Sequence, residues 1–144
     1  MIKSTTLALT ATATAAATVA LAATAHAGVP PSFQTPSGNI SCWIADDTAS
    51  CWIVDYTYAA PAEACSSPGW ANGFWLDGGE PAELRCSTEP PGTYSGLRTH
   101  TTLDYGQTRS VGVMTCASAA SGVTCTDTST GHFFRVSRDS YQLG

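Results

Sequence analysis

Two Cys-x8-Cys pairs within a set of six cysteines constrain this 144-residue chain more than any other feature. Cys42 and Cys51 have eight residues between them, and so do Cys116 and Cys125. Around the first pair the sequence alternates, so Ile40, Cys42 and Ile44 share one face of an extended segment. If Asp46-Asp47 forms the turn, the chain returns with Ala49, Cys51 and Ile53 on that same face. Cys42 then lies directly opposite Cys51, within disulfide reach. A fold-back around Ala120-Ser121, with Gly122 beside it, sets Cys116 opposite Cys125 in the same way. Six cysteines allow fifteen pairings. The expected pattern is sequential: Cys42–Cys51, Cys65–Cys86 and Cys116–Cys125. Swapped pairings between the two hairpins are the alternative.

The rest of the chain reads as short strands. Val111–Cys116 and Gly122–Cys125 are rich in β-branched residues, and Phe133–Val136 extends the pattern after a Thr130-Gly131 turn. Leu103–Gln107 reads as a further turn. Residues 61–96 hold Pro61, Pro68, Pro81, Pro90 and Pro91 together with the turn pairs Asn72-Gly73 and Gly78-Gly79. That segment is expected to be a long loop pinned by Cys65–Cys86, with one strand near Leu84-Arg85-Cys86. The expected fold is all-β: a small, disulfide-stapled antiparallel barrel or sandwich with a long irregular loop.

The first 27 residues have a different character. Lys3 is followed by an uncharged stretch from Ser4 to Ala25 and by Ala25-His26-Ala27, the order of a secretory signal peptide cleaved after Ala27. The domain is therefore residues 28–144, expected outside the cell or associated with its envelope, without stable membrane insertion after cleavage. Its cations are Arg85, Arg98, Arg109, Arg135 and Arg138, against eleven carboxylates. Phosphate binding draws on clustered Lys and Arg, so this charge balance excludes nucleic acid as the expected partner. A domain this small buries a limited core, and cross-linking is the usual remedy in an oxidising compartment.

Catalytic constellations are missing from the sequence. No Gly-x-Ser-x-Gly elbow occurs, since Gly92-Thr93-Tyr94-Ser95-Gly96 has the wrong spacing. Paired cysteines are neither nucleophiles nor zinc ligands, and no Cys-x2-Cys is present. Asp46-Asp47 and Asp77-Gly78-Gly79-Glu80 lack the alternating ligands of a calcium loop and read as solvated turns. No metal or cofactor is expected.

Two groups of side chains are candidates for binding. His132, Arg135 and Arg138 form the first, either as a small anion or partner site or as structural groups that lock the tail. Trp43 and Trp52 form the second. They fall on the hairpin face opposite the disulfide and diagonal to one another, roughly 7–8 Å apart. Exposed, they would make a stacking platform; buried, they would be core.

Phe33-Gln34-Thr35-Pro36-Ser37-Gly38-Asn39-Ile40-Ser41-Cys42 resembles the opening signature of a family of small actinobacterial secreted six-cysteine proteins of unknown function. Leu103-Asp104-Tyr105-Gly106, Ser121-Gly122-Val123-Thr124-Cys125, Thr130-Gly131-His132 and Ser137-Arg138 extend the likeness, as does the order of the cysteines. It covers about residues 33–143. Asp127 stands where the family usually shows Asn, and Phe133 where it shows Gly. The resemblance implies an exported, disulfide-bonded domain and transfers no functional residue.

The expected function is a non-enzymatic binding or interaction module that meets a protein or glycan outside the cell or at its envelope. A carbohydrate-binding module using Trp43 and Trp52 is one alternative. Another is a secreted hydrolase inhibitor presenting the Cys65–Cys86 loop.

Overall fold

A computed structural model describes residues 32–61, 65, 69–93 and 101–144. The expected signal segment lies outside these residues. The described residues form eleven strands and no helix. No helix among them is therefore long and apolar enough to cross a membrane.

The first layer contains β1 (Ser32–Gln34), β2 (Ile40–Ile44), β3 (Thr48–Ile53), β4 (Trp70–Asp77), β5 (Glu83–Ser87) and β6 (Thr101–Thr102). Their order is β5-β4-β3-β2-β1-β6, antiparallel except for the β1–β6 pair. The second layer contains β7 (Thr108–Val111), β8 (Met114–Ala119), β9 (Gly122–Asp127), β10 (Phe133–Val136) and β11 (Tyr141–Leu143), in the order β11-β10-β9-β8-β7. The two sheets are separate layers, so the fold is a sandwich and not a closed barrel.

Both cysteine hairpins take the register that their alternation predicts. Cys42 pairs across from Cys51, and Cys116 from Cys125. The three disulfides are Cys42–Cys51, Cys65–Cys86 and Cys116–Cys125, the sequential pattern. The two hairpin bridges meet in the core, with Cys51 Sγ and Cys125 Sγ 3.8 Å apart. Phe33, Ile44, Ile53, Phe74 and Leu76 of the first sheet and Met114, Val123, Phe134 and Val136 of the second complete the core. Phe74 meets Phe134 across the layers, ring centroids 5.8 Å apart. Along one edge Arg109 donates to Ser32 O and Thr101 Oγ1, and its guanidinium lies over the Phe33 ring. This arginine clamps the second sheet to the first.

The structure corrects the sequence reading in two places. The segment expected to be a long loop contains β4, an eight-residue interior strand, as well as β5. Asn72-Gly73 is therefore no turn. A bulge falls between Trp70 and Gly73, and the Trp75 ring lies where a Gly73 side chain would be. Glycine here makes room for an aromatic neighbour. The run Val111–Cys116 is also broken, because Gly112-Val113 turns between β7 and β8 with Val111 opposite Met114. Gly112 has φ +55°, the requirement of a type II′ hairpin turn at its first central position. A Cβ on Gly112 would collide with the Asp46 backbone of the other layer.

That contact belongs to a network that closes one end of the sandwich. Val113 N donates to Asp46 O, Gly78 N to Asp47 O, and Thr128 N to Val113 O. Asp127, fully buried, accepts from Ser129 N (2.8 Å), Ser129 Oγ (2.6 Å) and Gly79 N (3.0 Å). The Ser129 hydroxyl and these backbone donors hold its carboxyl well below the usual carboxylate range.

Two outcomes follow from this arrangement. Closing a ten-residue loop restricts the unfolded chain by about 2.7 kcal/mol. The double variant Cys42→Ala/Cys51→Ala is expected to lose at least about that much in urea unfolding, because it also empties part of the core. For Asp127 the folded pKa is depressed, so its stabilisation is present above the unfolded value near 4 and is lost as pH falls through the folded value. Asp127→Asn is expected to be less stable than the parent at neutral pH, with the gap narrowing below about pH 4. Thermal melts of both proteins from pH 7 to 2 check this; a constant gap would contradict it.

Candidate functional site

The other end of the sandwich is built differently. Five segments converge there: the β1–β2 turn with Ser37 and Asn39, Asp55 after β3, the turn carrying Tyr105, the β8–β9 turn at Ala119–Gly122, and the β10–β11 turn at Ser137–Ser140. Together they enclose a cleft of about 350 Å³ with Ile40, Ala119 and Ala120 as its apolar part. The remaining lining is polar: Thr35, Ser37, Asn39, Asp55, Ser137 and Arg138, with Tyr105 beside them. A second cleft of about 340 Å³ shares Ala120, Ser137 and Arg138 with the first and adds Arg135 and Asp139.

Each segment is fixed by its own polar side chains. Asn39 Nδ2 donates to Asp55 O at 3.0 Å, and Asp55 N donates to Asn39 Oδ1 at 2.7 Å. Thr35 Oγ1 accepts from Ile40 N and contacts Ser37 Oγ. Ser137 Oγ donates to Asp139 Oδ1 at 2.7 Å and accepts from Ser140 N, which ties the β10–β11 turn together. That hydroxyl, more than the field of Arg135, draws the Asp139 carboxyl below its ordinary pKa. Thr57 N donates to Arg138 O, linking the turn to the first sheet. Gly122 has φ +124°, and a Cβ on it would collide with Val136 O, so the β8–β9 turn packs directly on β10.

Tyr105 is 46% exposed, one of three large hydrophobic side chains among the described residues left so open. Arg138 is exposed, and its guanidinium forms no ion pair with a described residue. Arg135 Nη2 reaches Ser121 O at 3.3 Å. The cleft mouth thus offers two guanidinium groups and a phenol ring on a backbone that is already fixed.

Of the three tail residues proposed from sequence, the structure brings Arg135 and Arg138 together and separates His132 from them. His132 precedes β10 at the closed end, where its carbonyl accepts from Asp127 N and its backbone N donates to Thr130 Oγ1. At about 3.3 Å per residue, the strand between His132 and Arg138 puts roughly 15–20 Å between them. Tyr105, Asn39 and Asp55 join the site only through the fold, and the Leu103-Asp104-Tyr105-Gly106 turn is the sequence signal for the first of them.

Trp43 and Trp52 occupy the outer face of the first sheet, both half-buried. Trp43 sits opposite Ser50, and Ser50 opposite Trp75. Trp52 sits opposite Gly73, and the ring of Trp75 folds over that glycine to meet Trp52 at 4.7 Å and 86°. Trp52 thus meets Trp75 edge to face, and the half-burial of Trp43 and Trp52 falls between the two alternatives the sequence leaves open, stacking platform and core. Arg85 lies over Trp75 at 4.8 Å and pairs with Asp77 and Glu83. The sulfurs of Cys42, Cys51 and Cys125 cluster within 4.8 Å, but all three are in disulfides and none is a thiolate ligand.

The chain is thus a two-layer, three-disulfide β-sandwich with a polar cleft between its loops at one end. In comparisons with known proteins it matches no family model, no curated protein and no solved structure.

The Asn39–Asp55 pair generates a direct expectation. Asn39→Ala removes both bonds and is expected to cost about 1–2 kcal/mol in urea unfolding. Amide exchange should rise locally at Val54 and Asp55, whose backbone N–H groups bond to Asn39. Unchanged exchange there would show that the loop is held by something else.

Proposed function

We propose that this chain is an exported, non-enzymatic binding module that takes a protein or envelope component at the open end of its sandwich. The observation that carries the reading is the contrast between the two ends. One end is closed by backbone bonds around Asp46, Asp47 and Asp127, whereas the other holds a pre-formed cleft flanked by Tyr105, Arg135 and Arg138. Tyrosine and arginine are the side chains that most often anchor an interface, because each offers large contact area and directed hydrogen bonds. A cleft whose loops are fixed beforehand spends little entropy when it binds.

Two further facts support the reading. Four stretches that carry the resemblance to small secreted six-cysteine proteins, Ser37-Gly38-Asn39, Tyr105-Gly106, Ser121-Gly122 and Ser137-Arg138, come to this end, while Thr130-Gly131-His132 lies at the closed one. Three disulfides suit an oxidising compartment, in keeping with export through residues 1–27. The inhibitor alternative rests on the Cys65–Cys86 loop, much of which lies outside the described residues, and no observation favours it.

The test is capture from a native envelope fraction by the immobilised, oxidised protein, followed by mass spectrometry. A protein retained by the parent is expected to bind at least about tenfold more weakly to Tyr105→Ala and to Arg138→Ala. Both variants should melt at the parent temperature, since both side chains are exposed. Equal retention by all three proteins would defeat the reading.

A further inference from the structure

We infer that the outer face of the first sheet carries a second binding site, separate from the loop-end cleft, for a neutral glycan. It is a cleft of about 300 Å³ lined by Trp52, Asn72, Gly73, Trp75, Arg85, Cys86 and Ser87. Asn72 is 1% exposed, yet its Oδ1 has no hydrogen-bond partner. Buried polar atoms are almost always paired; the described residues hold two exceptions, Asn72 Oδ1 and Ser118 Oγ, and the first belongs to a residue that lines this cleft. That oxygen is closed to solvent in the free protein, so a hydroxyl or amide donor on a bound molecule would supply the missing bond once the Asn72 amide turns toward the cleft it lines.

The surrounding groups select the class of molecule. Trp52 and Trp75 stand at 86° to one another and form two walls of a corner. Indole walls suit a ligand with apolar C–H faces, and the orphan acceptor requires that it also carry donors. A pyranose ring has both. Charge then narrows the choice. Arg85, the cation at the site, already pairs with Asp77 and Glu83 at 3.2 and 3.1 Å, so it is not free to neutralise an anion. The adjoining surface adds Glu80 to those carboxylates beside Trp75. These carboxylates accept hydrogen bonds from sugar hydroxyls and repel acidic sugars. The ligand is therefore an uncharged sugar chain.

The site also explains two features of β4. Gly73 leaves the space into which the Trp75 ring folds, and the bulge between Trp70 and Gly73 falls at Asn72. Bulges commonly re-aim side chains at functional positions.

The experiment titrates the full oxidised protein with cellohexaose, chitohexaose and β-mannohexaose, following tryptophan fluorescence and isothermal calorimetry. At least one is expected to give a saturable signal. Asn72→Ala should weaken that binding by about tenfold or more, and it should melt somewhat below the parent because it truncates a buried side chain. Trp75→Ala should weaken it similarly, and Arg138→Ala should leave it unchanged. The absence of a saturable signal with all three sugars at millimolar concentration would overturn the proposal. Binding that survives Asn72→Ala, or survives Trp75→Ala should Asn72→Ala fail to fold, would also overturn it. So would a response confined to the acidic chain polygalacturonate. Loss of envelope capture in Arg138→Ala with sugar binding intact would separate this site from the loop-end cleft.

Discussion

Two disulfides in contact at the centre of the sandwich set everything else in place. Cys51 Sγ and Cys125 Sγ are 3.8 Å apart, so the hairpin β2–β3 and the hairpin β8–β9 face one another at their bridges. The bridge fixes register in each hairpin, because in β2–β3 a slip of one residue would turn one cysteine away from the core, breaking its reach to the other, and would expose the isoleucines of the shifted strand. With register fixed, the outward faces are fixed too, and with them the position of every turn. The protein has few large aliphatic side chains, and four sulfurs occupy the place they would fill.

From that centre the two ends diverge. At one, short turns from both sheets bond to each other through the carbonyls of Asp46 and Asp47 and the Asp127 carboxylate. At the other, the turns are stabilised within themselves, Asn39 with Asp55 and Ser137 with Asp139 and Ser140, so their outward side chains stay available. The sandwich separates a structural pole from a binding pole by the direction in which its turn residues spend their hydrogen bonds.

Much of the fold was legible in the residues. A period of two with cysteines at matched spacing dictates hairpin register, and the structure follows it at both pairs. What misled was punctuation. Asn72-Gly73 carries the local signature of a turn, but the glycine sits in an interior strand because the Trp75 ring needs its space, a cause that only tertiary packing supplies. The site was half legible. Arg135 and Arg138 are legible in the tail, but nearness in sequence groups His132 with them, and a strand carries near neighbours to opposite ends. Asn39, Asp55 and Tyr105 could not be assembled at all, because they come from segments far apart in the chain. Closed-end turn residues such as Asp46 look the same in one dimension.

The position of the bridges also shapes what the protein becomes when it opens. Cys42–Cys51 lies within the first sheet, Cys116–Cys125 within the second, and Cys65–Cys86 leads from the connecting segment to β5 of the first. No covalent cross-link spans the layers. Their cohesion is wholly non-covalent: Phe74 on Phe134, sulfur on sulfur, Arg109 on β1, Asp127 on Gly79. Denaturant acting on the oxidised protein therefore parts two sheets whose hairpins stay looped, and the denatured ensemble is compact. Its unfolding should expose less surface than a chain of this length without bridges, and the dependence of stability on urea should be correspondingly shallow.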